Sequence, residues 1–226
     1  MKEEGFSYVR SKFTYKRKSG DFIQQIWVIL SHYNTQQSIH FSSAFHVTSP
    51  KYNRWLKQKG REKFSGYLVG CMDWNIPRWR EPGDHATSLD FSAPDSRQVV
   101  LASWLRRCLS AGIPYLDGLS TWEGAADDLI RCRWDWNRAA DCYLIAGRSD
   151  RAVAALQQGI QALAAQEFSY SEKSHPTLVA KKRRQAAERD TEVAAYRSRV
   201  QEIENSEQLR PADADKPRSS AEPLGC

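Results

Sequence analysis

The sequence predicts an α+β fold: an antiparallel sheet of four or five strands, helices packed mainly on one face, and a C-terminal helical extension. Two observations carry that reading. Between Lys12 and Ser49 apolar side chains recur at every second position, the period of half-buried strands, whereas from Asp95 onward they recur every three or four, the period of helices.

Phe13, Tyr15 and Arg17 define a first strand, Phe22, Gln24, Ile26, Val28 and Leu30 a second, and Ile39, Phe41, Ser43, Phe45 and Val47 a third. Pairing preserves side-chain parity, because a slip of one residue moves every apolar group to the wrong face. A two-residue loop at Ser19-Gly20, with Gly20 at positive φ, sets Lys18 opposite Asp21, Phe13 opposite Ile26 and Tyr15 opposite Gln24. An even-length connection around Tyr33 to Ser38 then places Ile26, Val28 and Leu30 on one face with Ile39, Phe41 and Phe45. His40 and His46 go to the other face, as surface histidines.

Pro50 to Gly60 suits a short helix with Tyr52, Trp55 and Leu56 as its apolar stripe and Gly60 as its stop. Phe64 to Met72 reads as a fourth strand, Asp73 to His85 as a proline-broken loop, and Thr87 to Phe91 as a last short strand. After a cap at Asp95 or Ser96, Val99, Val100, Trp104, Leu105 and Cys108 line one helix face, and Gly112 with Pro114 ends that helix. Ser120 or Thr121 opens the next, with Glu123 three residues after Ser120 as a capping box. Trp136, Ala140, Tyr143 and Leu144 mark a third helix and Ala152, Val153, Leu156, Ile160 and Leu163 a fourth, joined by a turn at Gly147 to Ser149. This α+β domain spans residues 5–168 and ends in the helical hairpin. A long helix follows over 176–206, with Val193, Tyr196, Val200 and Ile203 at helical spacing, and 207–226 has the composition of a disordered tail.

At 226 residues and 41% hydrophobic content the chain can bury one sizeable core. No apolar run approaches the roughly 18 residues a membrane helix needs, and Met1 to Glu4 leads in without an apolar signal region, so a soluble, cytoplasmic protein is expected. Cys71, Cys108, Cys132, Cys142 and Cys226 form no close pair and read as reduced thiols; no metal and no cofactor are expected. Residues 1–80 carry 14 basic and 5 acidic side chains, which places the basic character on the sheet region. Lys12, Lys16, Arg17 and Lys18 in that stretch either attract phosphate or an acidic surface, or shield exposed strand edges from other chains.

Catalytic arrangements find little support. His40 and His46 share a face but stand about 20 Å apart at roughly 3.3 Å per residue, too far to share a metal. Asp84-His85, with Asp73 and Cys71 nearby in sequence, is the one cluster that combines acid, base and nucleophile types. No phosphate-cradling glycine loop, nucleophile elbow or His-Glu-x-x-His helix is present, so the expectation is a protein that is not an enzyme. Contact chemistry is better represented. Trp74, Arg78, Trp79 and Arg80 sit in the proline-punctuated loop, and Trp and Arg are the residues that most often carry binding energy at protein interfaces. They are the predicted partner-binding residues, whereas Trp104, Trp122, Trp134 and Trp136 are expected to pack between helices and sheet. The alternative partner is nucleic acid, held by the basic sheet region and by Lys181, Lys182, Arg183 and Arg184 on the long helix.

Gly5-Phe6, Phe13, the Gly20-Asp21 turn, Ile23-Gln24 and the alternating strands after them, then Ile113-Pro114-Tyr115-Leu116-Asp117 and the helix near Ser120, together resemble the bacterial domain-of-unknown-function family 4304 over residues 5–131. The family opens with a helix before its Gly-Phe pair and four residues precede it here, so one sheet face is either less covered or covered by the C-terminal helices. The resemblance implies a small α+β protein like the immunity proteins of polymorphic toxin systems, which bind and block a partner; it carries over no catalytic residue. Ala139 to Leu163 is also similar to one tetratricopeptide hairpin, with no second copy near a period of 34.

Overall fold

The turn at Gly20 sets the sheet. Thr14–Ser19 (β2) and Phe22–Leu30 (β3) are joined by Gly20-Asp21, and Gly20 lies at φ +54°, the first-position glycine that a type II′ hairpin favours. Ser19 therefore pairs with Phe22, Tyr15 with Ile26 and Arg17 with Gln24. The register differs from the expected one by two residues, and because two is the side-chain period every face assignment survives. Phe13, expected in the strand, instead takes a left-handed conformation at φ +47° just before it.

The computed structural model describes residues 1–62, 64, 66–80, 88–133, 135–165 and 176–208, and the chain divides into two compact units, Met1–Arg148 and Ser149–Cys226. In the first unit His40–Thr48 (β4) pairs with β3 so that Ile26 faces Phe45 and Leu30 faces Phe41, the even-length connection expected. Val69–Met72 (β5) and Leu89–Asp90 (β6) pair with opposite ends of β4, and Ser7–Val9 (β1), absent from the sequence reading, adds to β2. The sheet thus has six strands, all antiparallel, rather than four or five. β5 is also shorter than the Phe64 to Met72 segment expected.

One sheet face is the core. Phe22, Gln24, Ile26, Phe41, Ser43, Phe45 and Val47 are buried there, and its polar members are bonded to helices. Gln24 Nε2 donates to Asp117 Oδ1 (2.9 Å) and Ser120 Oγ (2.7 Å), and Ser43 Oγ accepts from Trp104 Nε1 (2.8 Å). The cover fades toward the hairpin end: Val28 is half-buried and Leu30, expected inside, is 50% exposed.

Pro50–Gln58 (α1) starts as predicted, with Pro50 in its first turn and Ser49 Oγ accepting from the Tyr52 amide, and Gly60 follows at φ +67°. Arg97–Arg107 (α2) departs from expectation. It does not end at Gly112-Pro114 but continues through a π-helical turn, Cys108–Gly112, into Ile113–Leu119 (α3). Pro114 lacks the N–H that an α-helix would bond four residues back, and the wider π turn accommodates that gap without ending the helix. Gly112 is required for packing: a Cβ there would lie 2.3 Å from Phe45 Cε1. The buried side is Trp104 and Cys108, while Val99, expected on it, is 70% exposed.

Trp122–Arg131 (α4) is capped by Thr121, whose Oγ1 accepts from the Gly124 amide (2.9 Å). The Ser120–Glu123 capping box does not form, because Ser120 Oγ donates to the Leu116 carbonyl and Glu123 pairs with Arg148. Trp136–Ile145 (α5) is capped by Asp135. In the second unit Ser149–Ala164 (α6) packs against Pro176–Gln208 (α7), with Leu156, Leu163, Tyr196 and Ile203 buried. The unit boundary falls between the two helices of the predicted hairpin. Trp134 and residues 209–226, most of the predicted tail, lie outside the described residues. No described helix is long and apolar enough to cross a membrane.

Candidate functional site

The predicted contact loop is divided by the fold. Residues Asp73–Asn75 form one 3₁₀ turn after β5, and the chain then folds back so that Ile76 and Trp79 enter the core. Trp79 is 4% exposed with its ring 5.1 Å from that of Phe45, edge to face, so it is a packing residue rather than a surface contact. Arg78 is exposed, at φ +65°, and Trp74 and Arg80 are half-buried. The structure does not gather these four into one surface.

The acid, base and nucleophile types do not assemble either. Asp73 is buried and commits both oxygens to backbone amides, Oδ2 accepting from Ser43 N (2.7 Å) and Oδ1 from Trp74 N (2.8 Å). Burial nevertheless raises its carboxyl to about 6 and, likewise, pushes the Cys71 thiol up to about 11. Asp84 and His85 lie outside the described residues. Among the described residues no group of His, Cys, Asp or Glu is placed to hold a metal.

What the fold does assemble is a groove at the hairpin end of β3 and β4. Asn34 clasps the loop there, its Nδ2 donating to the His40 carbonyl (2.9 Å) and its Oδ1 accepting from the His40 amide (2.8 Å). With the loop so held, Leu30, His32, Tyr33, His40, Phe41 and Trp74 line an open groove of about 580 Å³. Tyr33 is 79% exposed and its ring lies 3.7 Å from that of His32. Of the four predicted contact residues, Trp74 is the one that lines this groove.

Beside the groove lies the second face of the sheet, which pairs Lys16 with Gln25 and Gln25 with His46, then Thr14 with Trp27 and Trp27 with Ala44. Trp27 and Ile29 are exposed on it. His46 keeps the predicted face but is 3% exposed, not a surface residue, because Trp27 stands edge-on to it at 4.5 Å and Tyr67 lies at 4.9 Å. The backbone of β5 also approaches it so closely that a Cβ on Gly70 would fall 2.3 Å from His46 Cβ. Its Nε2 is buried without a hydrogen-bond partner, and burial, with Lys16 nearby, lowers its pKa to about 4. Trp27 Nε1 donates to Gln25 Oε1 (2.9 Å), which fixes the indole upright on the strand.

Trp27, Ile29 and Tyr33 are not among the residues the sequence motifs mark. A signal for the first two existed: Ile26-Trp27-Val28-Ile29-Leu30 is apolar on both parities, which in an antiparallel strand marks a second apolar face. The basic run on α7 is mostly solvent-facing: Lys181, Arg183 and Arg184 are exposed, and Arg184 Nε donates to Glu188 (2.8 Å) one turn on. No family model, no curated protein and no solved structure matches this chain.

Proposed function

We propose that this is a non-catalytic protein-binding module that receives an apolar segment of a partner in the groove between Leu30, Tyr33 and Trp74. One observation carries the reading: exposed Ile29, Leu30 and Tyr33 cluster with half-buried Trp74 around a groove at the hairpin end. Contiguous exposed apolar surface of this kind is uncommon on a free-standing monomer, and aromatic side chains beside a groove are the usual anchors of an interface.

The test is site-specific photocrosslinking in the native host, with benzoylphenylalanine at Tyr33 and, as a control, at exposed Gln36 in the same loop. The expected result is a protein adduct at position 33 that is absent at 36 and lost when Leu30→Ser is added. Equal labelling at both positions, or no protein adduct at either, overturns the proposal.

A further inference from the structure

We propose that the open face of the sheet is a second binding surface, a platform for single-stranded nucleic acid, with Trp27 and Tyr67 stacking bases and Lys16 and Lys18 meeting phosphates. It is separate from the groove and does not depend on it.

Three features of the face converge on that occupant. Trp27 and Tyr67 are both exposed and both flank the His46 ring, so two half-open aromatic surfaces stand side by side. Base stacking on such rings is tolerant of sequence because every base has a π-face. Lys16 and Lys18 lie on this same face, since they pair in register with Gln25 and Ile23, and they are about 7 Å apart, two residues at roughly 3.3 Å each. That step is comparable to the spacing of phosphates along an extended strand.

The third feature is charge. The outward positions of β2, β3 and β4, from Thr14, Lys16 and Lys18 through Ile23 to Ile29 and Ser42 to Thr48, include no acidic side chain. An anionic ligand over these three strands therefore meets no acidic side chain on them; exposed Asp90 of β6 shares the face but lies at its far end, opposite His40. A duplex would not serve, because its bases are stacked on each other and cannot reach the rings.

The experiment is fluorescence anisotropy of a labelled short pyrimidine strand, at low and at physiological salt, with its duplex and with polyglutamate as competitors. Binding to the single strand is expected to exceed binding to the duplex and to weaken with salt. Trp27→Leu should lower affinity about tenfold while Trp27→Phe, which keeps a ring, should lose less. Lys16→Glu with Lys18→Glu should weaken binding and flatten the salt dependence by about two phosphate contacts. No binding at low salt, equal affinity for duplex, equal competition by polyglutamate, or unchanged affinity in Trp27→Leu would each overturn the proposal. Should Trp27→Leu fail to fold, the lysine pair and Tyr67→Ala decide by the same criteria. Crosslinking at Tyr33 reports on the groove alone, so the two proposals fail separately.

Discussion

The two faces of the sheet share the same strands and differ in who satisfies their polar groups. On the covered face Gln24 and Ser43 are bonded to Asp117, Ser120 and Trp104, side chains from far along the chain, and the apolar residues between them are sealed. On the open face Gln25 bonds Trp27 on its own strand and Thr48 on β4, His46 Nε2 bonds nothing, and Trp27 and Ile29 reach solvent. Alternate residues of one strand thus do opposite work. The covered face holds the domain together, and the open face presents Trp27 and Ile29 outward.

The sharpest way to break that contrast is Phe45→Ala. Phe45 is fully buried against Trp79 and Gly112, and its removal should cost about 3–5 kcal/mol in urea unfolding. A cost near that of an open-face substitution would mean that the covered face is not the core.

His46 sharpens it through pH. Its folded pKa, about 4, lies below the ordinary histidine value, so between pH 4 and 6.5 the unfolded chain binds the extra proton and stability rises with pH. The rise is on the order of 3 kcal/mol. Asp73 acts oppositely: its raised carboxyl, about 6, holds a proton in the folded state, so stability falls as pH climbs through the range from ordinary carboxylate values to 6. Measured in an Asp73→Asn background, which removes the opposing slope, His46→Gln should abolish the rise between pH 4 and 6.5. Persistence of the rise would assign it to another group.

Gly112→Ala tests the seam between helix and sheet. The new methyl meets the Phe45 ring, and the expected loss is about 1–3 kcal/mol, read from the shift in urea midpoint. Smallest of all, Ile29→Ser on the open face should change stability by no more than about 0.5 kcal/mol. A large loss there would show that this face is needed for folding.

Much of the fold was legible because alternation survives errors that respect its period. Ser19-Gly20 and Gly20-Asp21 are both two-residue loops containing the same glycine, so the sequence favoured one and the structure uses the other, yet Ile26 still faces inward. Gly112-Pro114 misled for a different reason. Glycine and proline usually stop a helix, but here glycine is needed for contact with Phe45, some 67 residues away, and a local pattern carries no trace of that partner. Trp79 was hidden in the same way, since its burial depends on how the loop folds back over Phe45. Of the candidate site, Trp74 was found through its loop; Tyr33 was passed over because a single aromatic residue in a polar hairpin connection has no periodic neighbour to mark it.

The π turn has a further consequence for how this chain can change length. Trp104 and Cys108 are buried four residues apart; across the turn, which also buries Ala111 and Gly112, Ile113 follows five residues after Cys108 and Leu116 three after that. The five-residue step keeps the downstream stripe in phase with the upstream one. Deleting one residue there, Ser110 for instance, would turn the five-residue π step into a four-residue α step and leave Asp117 near its present phase, whereas inserting one would rotate everything beyond it by about 100° and swing Asp117 away from Arg17 and Gln24. The phase of the downstream helix therefore survives the loss of one residue here and not the gain of one.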